Sequence, residues 1–186
     1  MKKYTFGLMV LLFLYGFLYS TNTSKSSIPE PRFENRSQFY VMGVSLRDNS
    51  DPTEKMRLWL DLYRVQSGIP NVVPGAEFGV TYYAPDYDLT TRKGIVYLIG
   101  NEVSAPEYVP IGLTLRAVPQ ARYAVFEHRG TMDKLSDTYN YIFSEWLPKH
   151  KVRALGQDIF ERYDSRFSFD SEESVLEIWV PVPPAE

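Results

Sequence analysis

Arg122-Tyr123-Ala124-Val125-Phe126-Glu127-His128-Arg129-Gly130 opens, and Glu177-Ile178-Trp179-Val180-Pro181-Val182 closes, a stretch that can be read element by element. The opening run is dense in strand formers and stops at a glycine. Leu135, Tyr139, Ile142, Phe143 and Trp146 then recur at helical spacing and predict an amphipathic helix ended by Pro148. Ile159-Phe160-Glu161-Arg162-Tyr163 alternates apolar and polar residues, and the closing run reads as a last strand. The order is strand, helix, strand, strand. Alternation in the last strand puts Val175, Glu177 and Trp179 on one face and Leu176, Ile178 and Val180 on the other. Both faces are mainly apolar, as in a strand covered on both sides or lining a cavity. A carboxylate there is costly to bury unless it is paired or reached by water. Glu177 is therefore the first candidate for a functional residue.

Working outward, the preceding half has the same order. Phe39-Tyr40-Val41-Met42-Gly43-Val44-Ser45-Leu46 reads as a strand. Asp51-Pro52 supplies an N-cap and a first-turn proline for a helix with an expected apolar stripe of Met56, Trp59, Leu60 and Tyr63. That helix stops at Gly68, ahead of Pro70. Glu77 to Tyr83 and Lys93 to Ile99 read as two further strands, and the proline-punctuated run from Val103 to Gln120 as a linker. The expected fold is thus α+β: two β-α-β-β units, about 37–104 and 120–182, within a domain at 37–186. Two such units can pack their sheets side by side with both helices on one face, and a groove between like elements of the two repeats is a candidate ligand site.

Ahead of the domain, Lys2 and Lys3 precede an apolar run from Tyr4 to Tyr19. A basic start and an apolar core make residues 1–20 a signal peptide or an N-terminal membrane anchor. Either reading places the domain outside the cytoplasm, periplasmic or extracellular, with a membrane contact if the segment stays uncleaved. Residues 21–36 are rich in Ser, Thr, Asn and Pro and read as a tether.

Composition narrows the function. A net charge of -3 gives no broad basic surface, which argues against nucleic-acid binding. The chain has no cysteine and only His128 and His150, so thiolate chemistry, zinc-thiolate sites and a multi-histidine metal centre are not expected. No phosphate-binding glycine loop or serine nucleophile elbow occurs, and no cofactor is implied. Aromatic residues make up 15%, enough both to fill a core and to wall a pocket for a flat or cationic ligand. Three readings of Glu177 follow: a salt-bridged structural carboxylate, the counter-charge of a cationic aromatic ligand, or a general base that activates water.

The runs Tyr123 to Gly130, Tyr139 to Pro148, Phe160-Glu161-x-Tyr163 and Glu177 to Val182 closely resemble the GyrI-like small-molecule-binding family, also called the AraC-type effector-binding domain. Gly79-Val80-Thr81-Tyr82 with the following Pro85-Asp86 extends the resemblance more loosely into the first half. The resemblance implies a duplicated βαββ fold with a groove between the helices, faced by Glu177 and by the helix-end Trp146. This sequence departs from the family pattern in that no helix-turn-helix region precedes the domain, so the expectation is a stand-alone module that takes a small hydrophobic or cationic molecule. The expected groove residues are Glu177, Trp146, Tyr82, Trp59 and Tyr139. Some stand-alone members resemble hydrolases of strained, cyclopropane-bearing electrophiles, for which Glu177 would be the base; others are protein-interaction modules.

Overall fold

The computed structural model describes residues 28–48, 51–152, 156 and 158–184. The export segment expected at 1–20, and 21–27 of the tether, lie outside the described residues. Both expected units are present. The first comprises β2 (Phe39–Arg47), α1 (Pro52–Val65), β3 (Val72–Tyr83) and β4 (Ile95–Val103). The second comprises β6 (Ala121–Arg129), α2 (Leu135–Asn140), β7 (Ile159–Asp164) and β8 (Val175–Val182). Two more strands, β1 (Arg32–Arg36) and β5 (Thr114–Val118), lie in segments that the sequence reading assigns to linkers.

All eight strands form one antiparallel sheet in the order β1-β6-β8-β7-β3-β4-β2-β5. The leading strand of each unit is exchanged. β1 pairs with β6 of the second unit, and β5 pairs with β2 of the first. This exchange dictates the shape. β1 and β2 are six places apart in the order, yet only Ser37 and Gln38 separate them in the chain. Three Cα steps reach about 11 Å, whereas six strand spacings in a flat sheet span about 29 Å. The sheet must therefore curl until its edges meet, and β5 to β6 repeats the constraint through Pro119 and Gln120.

The concave face closes on itself. Phe39, Val80, Leu98, Tyr123, Phe160 and Trp179 pack there in a core drawn from both units, to which, among the described residues, no helix contributes. Where the edges meet, the Arg36 guanidinium lies 3.8 Å from the Phe39 ring centroid and pairs with Glu102 at 2.7 Å. The convex face carries the helices over Met42, Ile99, Phe126, Ile178 and Val180. Every residue of β8 is buried, which is why both its faces read as apolar.

α1 begins as its sequence dictates, with the Asp51 carboxylate accepting from the Thr53 N–H at 2.8 Å. Its buried face differs from the expected stripe. Leu58, Trp59 and Leu62 are inside, while Met56, Leu60 and Tyr63 are 47%, 54% and 46% exposed. Six large apolar residues between 56 and 63 occupy more than one helical face, so spacing alone does not choose among them; the sheet takes the face with Trp59 and two leucines. In the second helix all five stripe residues are buried. Pro148 does not end that helix. After α2 it widens into a π-helical segment, Tyr141–Trp146, where Leu147 N–H donates to Ile142 O, and Pro148 sits in the last turn, Leu147–Lys149. A proline has no N–H for the preceding turn, and the wider turn accommodates it. Among the described residues, no helix is long and apolar enough to cross a membrane.

Candidate functional site

β7 turns Ile159 and Tyr163 toward the helices and Phe160 into the concave core. Alternation puts Glu161 with Ile159 and Tyr163, beneath α1 and α2. Only 3% of Glu161 is exposed. Its carboxylate is held by three phenols. Tyr97 of β4 and Tyr163 donate to Oε2 at 3.0 and 2.6 Å, and Tyr139 of α2 donates to Oε1 at 2.7 Å. Three hydroxyl donors offset much of the cost of taking the charge out of water. Burial and the neighbouring Glu161 charge push the Tyr97 phenol well above its ordinary range, so it stays protonated and able to donate.

Space for this arrangement comes from Gly79, which faces Glu161 across the β3–β7 pair. A Cβ on Gly79 would stand 2.4 Å from the Tyr97 hydroxyl and 2.8 Å from Glu161 Oε2. The Trp59 ring of α1 meets Tyr163 edge-on at 4.7 Å, and Phe169, between β7 and β8, meets Trp59 at 5.3 Å. Phe143 stacks on Tyr139 at 6.3 Å. The Lys55 ammonium enters this aromatic enclosure, its Nζ 5.1 Å from the Tyr97 ring centroid. Burial pushes the Lys55 pKa down, and the Glu161 charge partly opposes that shift. Among the described residues, no group of three or more His, Cys, Asp or Glu side chains is placed to hold a metal ion.

Of the five residues expected at the groove, the structure brings Trp59 and Tyr139 together around Glu161. Trp146 is on the helix side but has other partners. Its indole donates to Glu30 at 2.6 Å and stacks on His150 at 4.4 Å, about 10 Å along the helix from Tyr139. Tyr82 packs against the concave core, with the Arg116 guanidinium 4.2 Å from its ring centroid.

Glu177 also departs from its expected place. Ile178 and Val180 lie under the helices, so Glu177 shares the opposite face with Trp179. Its Oε1 accepts from Arg166 at 2.7 Å and Arg32 at 2.9 Å; its Oε2 accepts from the Trp179 indole at 3.1 Å and Arg162 at 3.4 Å. Burial raises its pKa, but the Arg166 and Trp179 hydrogen bonds and the charges of Arg32 and Arg162 outweigh burial and hold it low. Both oxygens are engaged by cations or an indole, so the salt-bridged reading describes Glu177, and neither the counter-charge nor the base role fits this geometry. Glu161, Tyr97, Tyr163 and Lys55, which the structure brings together, are not among the residues expected from the sequence. The available signal was the alternation at Ile159-Phe160-Glu161-Arg162-Tyr163, which places a carboxylate between two apolar-bodied residues on one face.

The arginine cluster around Glu177 predicts acid sensitivity. Hydrogen bonds from Arg166, against burial, hold Asp164 at about 2, whereas an unfolded aspartate titrates near 3.9. A depressed carboxylate stabilises fully above its unfolded pKa and loses that contribution as pH falls toward the folded value. Between about pH 4 and pH 2, Asp164→Asn is expected to flatten the decline of the thermal midpoint relative to the unsubstituted protein. Equal slopes in circular-dichroism melts would remove Asp164 from this role.

The comparisons agree with this architecture. The GyrI-like small molecule binding domain matches residues 29–183, which includes β1. A curated relative, the transcriptional regulator BrlR of Pseudomonas aeruginosa, is 31% identical over 87 residues, 46% of this chain. The chain matches 32% of that regulator's length. Among solved structures, SAV2435 bound to tetraphenylphosphonium superposes with a TM-score of 0.64 at 16% identity, covering 83% of this chain and 94% of that one. The C-terminal domain of EcmrR gives 0.61 at 16% identity, covering 86% of this chain and 100% of that domain. At such identities the two structures show the shared fold: a curled antiparallel eight-stranded sheet with its helices on one face. With the family match spanning the whole sheet and both helices, the chain belongs to the GyrI-like small molecule binding domain family.

Proposed function

We propose that this domain binds a hydrophobic organic cation over Glu161, with Trp59, Tyr97, Tyr139 and Tyr163 as its walls. One observation carries the reading: a carboxylate with 3% exposure, held by three phenols and enclosed by aromatic rings. A carboxylate in a low-dielectric enclosure attracts a cation more strongly than one in water, and ring faces add cation–π attraction while accepting aryl substituents. The tetraphenylphosphonium bound to SAV2435 has this chemistry and supplies the probe. In calorimetric titration with tetraphenylphosphonium, Glu161→Gln is expected to weaken binding at least about ten-fold, with its fold intact by circular dichroism. Glu177→Gln, altered on the opposite face, is expected to bind as the unsubstituted protein does. Equal affinities for the Glu161→Gln and unsubstituted proteins would reject the reading.

The hydrolase alternative, with Glu177 as the base, gains no comparable support, because both Glu177 oxygens already accept hydrogen bonds from arginines or the Trp179 indole. We also propose that the domain lies outside the cytoplasm, a reading supported by Lys2 and Lys3 ahead of the apolar run from Tyr4 to Tyr19. A reporter active only after export, fused behind the chain, would test that placement; a silent fusion would reject it.

A further inference from the structure

We infer that Lys55 is an internal competitor for the cation subsite, and that it sets which cations the domain accepts. The inference rests on the reading of Glu161 above and deepens it. A ligand cation at this site needs two things: an aromatic face and the field of the carboxylate. Lys55 already occupies that position. Its ammonium lies 5.1 Å from the Tyr97 ring centroid, within the range of a cation–π contact. The same ring carries the phenol that donates to Glu161 at 3.0 Å. Ring, carboxylate and ammonium therefore reproduce, within one chain, the contacts a bound organic cation would make.

The surrounding side chains are closed. Trp59, Tyr97, Tyr139, Tyr163 and Glu161 are each at most 8% exposed. Lys55 is different, being half-buried on a flexible four-carbon stem that enters from α1. It is the group that can swing out without breaking a strand or repacking a ring. A ligand must therefore replace the ammonium rather than fill a vacancy. This favours permanent cations with several aryl groups, whose ring contacts exceed those of a lysine stem, over small ammonium ions that offer only a charge. Neutral aryl compounds gain nothing from the carboxylate and would leave the ammonium in place.

The experiment uses the full chain and tetraphenylphosphonium, with triphenylphosphine oxide as a neutral comparison. Lys55→Met keeps the length of the stem and removes the charge. It is expected to bind tetraphenylphosphonium about ten-fold more tightly than the unsubstituted protein. Lys55→Arg, which keeps the charge, should show no such gain, and affinity for the phosphine oxide should not change. A second readout follows the ammonium itself: saturating tetraphenylphosphonium should accelerate reductive methylation of Lys55, read by mass spectrometry of its peptide. If Glu161→Gln weakens binding but Lys55→Met does not tighten it and methylation is not accelerated, the competitor role is overturned while the Glu161 reading stands. If neither the unsubstituted protein nor Lys55→Met binds tetraphenylphosphonium, both fail.

Discussion

Replacing Gly43 with alanine is expected to prevent the domain from folding. Gly43 of β2 lies directly opposite Gly100 of β4. A Cβ on Gly43 would stand 2.0 Å from the Ile99 carbonyl oxygen and 2.5 Å from the Gly100 Cα, and a Cβ on Gly100 would stand 2.2 Å from the Met42 carbonyl oxygen. All of these neighbours are backbone atoms, so no side-chain rotation relieves the contact; the strands themselves must part. β2 has β4 on one side and β5 on the other, and Gly43 lies in both registers, opposite Gly100 and Thr114. Opening the ladder there would release the edge strand on which the curl of the sheet depends. The cost should exceed about 4 kcal/mol, which is exceptional for one substitution and approaches the whole stability of many domains. Insoluble expression, or loss of the cooperative urea transition, is the expected result. A soluble Gly43→Ala protein with an unchanged urea midpoint would refute it.

How far the sequence could be read depends on what each residue's environment is made of. The long strands and both helices were legible because their apolar residues recur with a period their own backbones impose. β1 and β5 were not. Arg32-Phe33-Glu34-Asn35-Arg36 and Thr114-Leu115-Arg116-Ala117-Val118 are five residues each, too short for periodicity to emerge. They are strands because each supplies an edge to the other unit, a fact of topology. Topology also decides which face each carboxylate takes. Alternation correctly separates Glu177 from Ile178, but both faces of β8 are apolar, and only the direction of the curl decides which one lies under the helices. In the sequence Glu177 stands out as a lone carboxylate, since its near neighbours are apolar. Its arginines arrive from 11, 15 and 145 residues away. Glu161 is followed by Arg162 and resembles one half of a solvated pair. The register shows otherwise: Arg162 is opposite Glu177, while the phenols that hold Glu161 come from 2, 22 and 64 residues away.

Gly79→Ala should couple fold and site in one substitution. The added methyl would meet the Tyr97 hydroxyl at 2.4 Å, Glu161 Oε2 at 2.8 Å and Tyr97 Cζ at 3.0 Å. Unlike the contacts of Gly43, these are side-chain atoms, so β3 can remain in register if Tyr97 gives way. Giving way removes one of the phenol donors from a buried carboxylate. The expected loss is about 2–3 kcal/mol, from overpacking together with a broken hydrogen bond to a charge. Tetraphenylphosphonium affinity should fall as well, because the Tyr97 ring is one of the walls of the proposed cation subsite. Tyr97→Phe alone removes the donor and should cost about 1–2 kcal/mol. It also deletes the atom nearest the new methyl. In the double variant the 2.4 Å contact is gone, leaving Glu161 Oε2, at the end of a flexible side chain, and the ring carbon at 3.0 Å. The combined loss in urea unfolding should therefore be smaller than the sum of the two single losses by about 1 kcal/mol or more. Strict additivity would mean that the methyl strains the backbone rather than Tyr97. A shortfall would show that a glycine without chemistry of its own sets the distance between the Tyr97 phenol and the carboxylate, and so belongs to the binding site as much as the residues that would touch the ligand.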